Sequence, residues 1–172
     1  MPKLDYEIII VDDASTDDSH LVLKDFEDES NIRIFYNKTN MGLGASCRLG
    51  SSKALGQCIV RVDADDYVHE DFARFLYLYL STNKVPAVSC DYIEVDANEE
   101  VLARKSARDE PIACGVMFKT DILHEIGSYK DLRIHEEKEL LGRFSDKYEM
   151  SYLDVPLYRY YIHDGSLSRG GE

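Results

Sequence analysis

The chain has no tryptophan, only four prolines and four cysteines, and 20 basic residues against 33 acidic ones. It also lacks any apolar run long enough for a membrane-spanning helix or a signal-peptide core. Each shortage excludes something. Cys47, Cys58, Cys90 and Cys114 fall at no metal-ligand spacing, and two of them lie inside apolar strand-like runs, so they read as reduced core thiols. A net charge of −13 disfavours nonspecific binding to nucleic acid or to an anionic membrane. A polyanionic ligand must then be met by local basic groups or by a metal. No repeat or low-complexity tract appears, and 172 residues support one domain, 1–172, with a sizeable core. The expectation is a soluble, cytoplasmic protein.

What is present is organised around two acidic clusters, each closing an apolar run: Tyr6-Glu-Ile-Ile-Ile-Val-Asp-Asp-Ala-Ser15 and Cys58-Ile-Val-Arg-Val-Asp-Ala-Asp-Asp66. Each run reads as a buried strand whose carboxyl end carries carboxylates to a sheet edge, where open α/β sheets bind ligands. Asp63, Asp65 and Asp66 repel one another unless a cation sits among them, and hard oxygen donors suit Mg²⁺ or Mn²⁺. The competing reading is a strand end with solvated acids that cap the next helix.

Along the chain, strand patterns alternate with amphipathic helices, which predicts an α/β fold with a mostly parallel central sheet and helices on both faces. Ser15 to Ser19 offers N-cap side chains to a helix carrying Leu21, Val22, Leu23 and Phe26. A second strand is predicted at 32–36, a glycine-containing loop at 37–44, and a helix at 45–55. A helix at about 70–80, a strand at 87–93 and a hairpin-like region around 96–104 follow. The last third holds a short run at 115–118, helices at 121–126 and 136–144, and a tyrosine-rich strand at 157–162.

Five blocks in order carry a resemblance: Glu7-Ile-Ile-Ile-Val-Asp-Asp-Ala-Ser-Thr-Asp17, Asn40-Met-Gly-Leu-Gly44, Val62-Asp-Ala-Asp-Asp66, His135-Glu-Glu-Lys-Glu-Leu140, and Tyr158-Arg-Tyr-Tyr-Ile-His-Asp-Gly-Ser-Leu-Ser168. Together they resemble a family 2 glycosyltransferase with the GT-A fold, across almost the whole chain. The resemblance implies an inverting, metal-dependent transferase. Its donor is a nucleotide-diphosphate sugar, most often a UDP-sugar. Its acceptor is the hydroxyl of a saccharide, a lipid-linked molecule or another compound. The cofactor implied is Mn²⁺ or Mg²⁺, which stabilises charge on the leaving diphosphate.

Residue by residue, the resemblance makes Asp65 the direct metal contact, and Asp63 a contact to the ribose or, through water, to the metal. Asp66 supports them. Asp13 accepts a hydrogen bond from the uracil imide while Asp12 supports the turn, and an Asx turn is the plainer reading of both. Gly42 and Gly44 let the backbone approach the nucleotide. The family places an arginine five residues after the first of these glycines, where this chain has Cys47 followed by Arg48. Arg48 is thus the candidate contact to base or diphosphate. Glu137 matches the family's base, which takes the acceptor proton, with a glutamate where the family carries aspartate. Acids in a first helical turn also complement the helix dipole without any catalytic role. His163 is a candidate metal or diphosphate ligand in the closing block.

Other readings fit less well. A receiver-like signalling module needs an essential lysine after a later strand, and Glu94-Val-Asp96 follows the run at 87–93. A haloacid-dehalogenase phosphatase normally carries threonine or valine two residues after its second aspartate, where Tyr67 stands. A calcium-binding EF-hand loop starting at Asp63 needs glycine sixth and glutamate twelfth, but finds Val68 and Arg74. The chain begins at what corresponds to the family's second strand. The alternative function is therefore a noncatalytic or partner-dependent nucleotide-binding fragment. The runs Ile8 to Val11 and Ile59 to Val62, expected to be buried on both faces, must then pair directly or leave edges for a homo-oligomer to cover.

Overall fold

The computed structural model describes residues 4–132 and 135–163. Its first half runs β1 (Ile8–Asp12), α1 (Ser19–Lys24), β2 (Ile32–Tyr36), α2 (Leu43–Lys53), β3 (Cys58–Val60), β4 (Tyr67–Val68) and α3 (Phe72–Asn83). The second runs β5 (Ala87–Val95), β6 (Val101–Lys105), β7 (Val116–Lys119), α4 (Thr120–Glu125), α5 (Glu136–Ser145) and β8 (Ser151–Tyr161). The chain divides into two compact units that interleave along the sequence. The first reaches residue 59 and resumes over 120–143, and the second covers 60–119 and resumes at 144.

In the first unit β1 and β2 pair in parallel, with Ile8 opposite Ile32 and Asp12 opposite Tyr36. The α1 crossover makes that direction possible. The Asp12 carboxylate accepts the Ser15 N–H at 3.0 Å, turning the chain as it leaves the strand. α1 has no side-chain cap bond at Asp18, and none of its residues is buried. α2 lies against β1 through small residues: a Cβ added at Gly50 would meet the methyl groups of Val11 and Ile9. β1 grades from exposed Ile8 to buried Asp12, so the expected burial on both faces is not found there.

β5 organises the second unit. It pairs antiparallel with β7 (Ala87 opposite Phe118) and with β6 (Tyr92 opposite Lys105), and parallel with β8 (Val88 opposite Ser151). β8 in turn pairs antiparallel with β4. Leu76 and Leu80 of α3 are buried with Val88, Val116, Phe118, Phe144 and Tyr158. Edge-on ring contacts link Phe118 to Phe144 at 5.5 Å and Phe72 to Tyr158 at 5.9 Å.

The expected mostly parallel sheet is therefore wrong: this sheet is mixed and mostly antiparallel, with β5–β8 its one parallel pair among the described residues. The cause is local. After β5 the chain reverses in a tight turn, where the Asp96 carboxylate accepts the N–H groups of Asn98 and Glu100 at 2.9 Å each. A short hairpin turn can only return antiparallel. The helical crossover that dictates parallel pairing survives in β1–α1–β2. No helix among the described residues is long and apolar enough to cross a membrane.

Candidate active site

In the first unit, Asp13 sits just past β1 and gathers the loop at 37–42. Its Oδ1 accepts from the Asn37 side-chain amide at 2.7 Å and the Met41 N–H at 2.8 Å, and its Oδ2 accepts the Gly42 N–H at 2.7 Å. Burial pushes this carboxyl's pKa up. The Met41 N–H, the Asn37 amide, the Gly42 N–H and the Ser46 hydroxyl outweigh it, so the net shift is downward. Gly42 opens α2 at a φ of 88°. Gly44 is required by close approach: a Cβ there would lie 2.7 Å from the Leu132 carbonyl oxygen and nearer still to that of Lys130. Arg48 is turned to Asp131, 2.7 Å away, with both side chains half-exposed.

Glu137 lies in the first turn of α5 between buried Glu136 and Glu139. Arg143, one turn on, bonds Glu139 through Nε at 2.7 Å and Nη2 at 2.6 Å, and also donates to the carbonyls of Ile126 and Ser128. The Arg143 hydrogen bond lowers the Glu139 pKa to about 2; burial opposes it, and Lys130 adds to the lowering. Arg143 thereby ties the last turn of α5 to the segment that follows α4.

The second unit holds the other acidic cluster. Asp63 is gripped by Arg61, whose Nε and Nη2 lie 2.5 and 2.8 Å from its two carboxylate oxygens. Asp66 accepts the Tyr158 hydroxyl at 2.7 Å and the Tyr161 N–H at 2.8 Å. The same Tyr158 oxygen accepts the Asp63 N–H at 3.1 Å. Burial raises the Asp66 pKa to about 6; the two hydrogen bonds oppose it, and the neighbouring charges of Asp63 and Asp65 reinforce it. Asp65 is different. Its side chain is 50% exposed and, among the described residues, meets the His163 ring at 3.0 Å. His163 is stacked on Tyr161 with 5.0 Å between ring centres. The closing block beyond it, from Asp164 to Ser168, lies outside the described residues.

Asp63, Asp66 and Cys114 can bring one donor atom each within 4.8 Å of one another. Burial, then the Asp63 charge, push the Cys114 thiol strongly upward, so it stays a neutral S–H. That leaves the carboxylate oxygens of Asp63 and Asp66, hard donors of the kind a divalent cation takes, while the half-exposed carboxylate of Asp65 lies outside this group. Sequence reasoning named all the acids but missed Arg61, Cys114 and Tyr158. A signal existed for Arg61, since residues two apart on an extended chain share a face. Gly115, at a φ of 83°, completes the neighbourhood: its N–H donates to the Arg61 carbonyl at 3.2 Å, and a Cβ on it would press on the Tyr158 ring at 3.3 Å.

Comparison with known proteins adds descent to this geometry. The model of the family described as glycosyl transferase family 2 matches residues 2–141. Glycosyltransferase GlyA of Streptococcus pneumoniae serotype 4 is 26% identical over 95% of this chain, which spans 27% of that protein. A poly(ribitol-phosphate) beta-glucosyltransferase of Bacillus spizizenii is 36% identical over 49% of the chain, or 14% of its own length. Among solved structures, S. aureus TarS 1-349 in complex with UDP-GlcNAc superposes with a TM-score of 0.82 at 18% identity. That superposition covers the whole of this chain and 54% of that one.

Proposed function

The chain belongs to glycosyl transferase family 2, and from that premise we propose that it is the donor-binding part of a metal-dependent, inverting glycosyltransferase using UDP-sugar. The observation that supports this most is the state of the second acidic cluster: Asp63 and Asp66 are held by protein donors while Asp65 stays half-exposed. A strand end that merely solvated its acids would have no need of such partners.

Asp65, with His163 beside it and Asp63 acting through water, would hold Mn²⁺ or Mg²⁺. Once bound, that cation would neutralise charge developing on the leaving diphosphate. Asp13 would accept the uracil imide N–H, and Asp12 would keep the turn that presents it. Gly42 leaves the backbone open beside the nucleotide. Arg48 would reach the diphosphate on leaving Asp131. The Glu137 carboxylate would take the proton of the acceptor hydroxyl as its oxygen bonds the anomeric carbon. The bond from that carbon to the diphosphate breaks on the opposite face, its electron pair leaves with the phosphate oxygen, and the configuration inverts. We place the reaction in the cytoplasm, where the free thiols of all four cysteines would persist.

Calorimetry of UDP binding, with and without Mn²⁺, on the wild type and on Asp65→Ala tests the reading. Binding should require Mn²⁺ and be lost in the variant. Equal, metal-independent binding by both proteins would overturn it. A transfer assay adds the base: Glu137→Gln should keep UDP affinity and lose turnover, while no transfer by the wild type would favour a noncatalytic nucleotide-binding fragment.

A further inference from the structure

We propose that Arg61 and Tyr158 are positioning residues: they brace Asp63 and Asp66 so that Asp65 is the carboxylate the cluster presents to a cation. The inference rests on the donor-site reading above and assigns two residues outside the acidic motif. Arg61 approaches both oxygens of Asp63 in parallel, a fork that arginine forms and lysine cannot. Its side chain is only 10% exposed, so the pair is shielded from solvent competition. The charges of Arg61 and Asp63 cancel, which removes one of the repulsions that would splay three acids packed into four residues.

Tyr158 controls the other distance. A phenolic oxygen can donate one hydrogen bond and accept another, and this one does both, accepting from the Asp63 backbone and donating to Asp66. One oxygen therefore sets the separation between the start and the end of the motif. The residue is fully buried and its ring meets Phe72 edge-on, so the hydroxyl has no room to swing away. Asp66 is fixed from the other side by the Tyr161 N–H. Asp65 is left with the exposed carboxylate, and the cluster keeps its shape before a cation arrives. Such preorganisation strengthens binding because little ordering remains to be done.

The test is a Mn²⁺ titration in the presence of UDP, followed by the electron paramagnetic resonance of free Mn²⁺, on the wild type, Tyr158→Phe and Arg61→Lys. Melting temperatures without Mn²⁺ are recorded alongside. Tyr158→Phe deletes one oxygen and keeps the ring; Arg61→Lys keeps the charge and loses the fork. Supporting partners of this kind alter metal affinity by roughly 10- to 100-fold, and each variant should weaken Mn²⁺ binding by that order while remaining folded. A folded Tyr158→Phe with wild-type Mn²⁺ affinity would overturn the proposal. If Tyr158→Phe fails to fold, Arg61→Lys decides: weakened Mn²⁺ binding supports the brace, and unchanged binding overturns it. A wild type that binds no Mn²⁺ at all would overturn the donor-site reading and the brace with it, an outcome distinct from equal affinity in all three proteins.

Discussion

In the second unit Leu76, Val88, Val95, Phe118 and Tyr158 are each 1% exposed or less, whereas in the first unit α1 buries no residue and Leu21 and Val22 stand 50% and 58% exposed. The stretch of the first unit up to residue 59 compensates with carboxylates. Glu7 accepts the N–H groups of Leu55 and Gly56 and pairs with Arg33, Asp12 holds the turn at Ser15, and Asp13 gathers the loop at 37–42. The stretch 4–59 is thus organised by presenting acids to backbone donors, while the second unit, like Leu123, Ile126, Tyr129 and Leu140 in the resumed stretch of the first, is organised by burying apolar surface. The contrast matters for function. On the function proposed above, a nucleotide would be read by polar groups, and a stretch whose order already depends on them can exchange one partner for a ligand.

Several substitutions can break or sharpen that contrast. The largest effect is expected at Phe118, buried against Phe144: Phe118→Ala should cost about 3–5 kcal/mol in urea unfolding. A loss no greater than that of a surface substitution would erase the distinction. Next comes Asp13→Ala, which strips three donors of their acceptor and should cost about 1–3 kcal/mol. UDP affinity should fall with it, and Asp13→Asn should recover part of the stability. Full stability in Asp13→Ala would show that the loop at 37–42 does not depend on this carboxylate.

The two units should also answer acid in opposite directions. Glu139 in the first unit has its carboxyl at about 2, below its ordinary range. Its stabilising contribution is complete above that range and is lost as pH falls toward 2. Asp66 in the second unit has its carboxyl at about 6, so the folded chain holds that proton more tightly than the unfolded one. Its contribution is greatest below about pH 4, declines as pH rises to about 6, and is level beyond. Urea unfolding across this range should therefore lose its acid-side slope in Glu139→Gln and its slope between about pH 4 and 6 in Asp66→Asn. Slopes unchanged in either variant would reassign that titration. The smallest effect belongs to Val22→Ser on exposed α1, which should stay within about 0.5 kcal/mol of wild type.

The sequence made some of this legible because the signals are local. β2 lies at Ile32–Tyr36 as the strand pattern predicts, and the first acidic cluster stands at the end of β1, whereas β3 stops at Val60 and the second cluster fills the stretch between it and β4. What escaped is set by partners far along the chain. Nothing near Arg48 announces Asp131, and nothing near Asp13 announces that Met41 and Gly42 will donate to it. The two-residue β4 exists only because Tyr67 meets Arg159 of β8. Alternating strand and helix patterns suggest a more parallel sheet than the one observed because they carry no record of direction. A hairpin at Asp96 and the antiparallel return of β7 to β5 decide that instead. Tyr158 looked like one tyrosine among several in a strand, and only its register opposite Val68, within reach of Asp63 and Asp66, singles it out.

Gly115 ties these threads to heredity. Its N–H meets the Arg61 carbonyl and its bare α-carbon faces the Tyr158 ring, so it touches both supports of the acidic cluster from a different stretch of chain. A side chain there would need a left-handed backbone and would displace the tyrosine as well. Positions 115 and 158 are thus coupled through side-chain packing, whereas any residue at 61 would supply the same backbone carbonyl. Across descendants of this chain the glycine and the tyrosine should be kept or exchanged as one inherited character, and a lineage that gives up the glycine should be found to have released the tyrosine too.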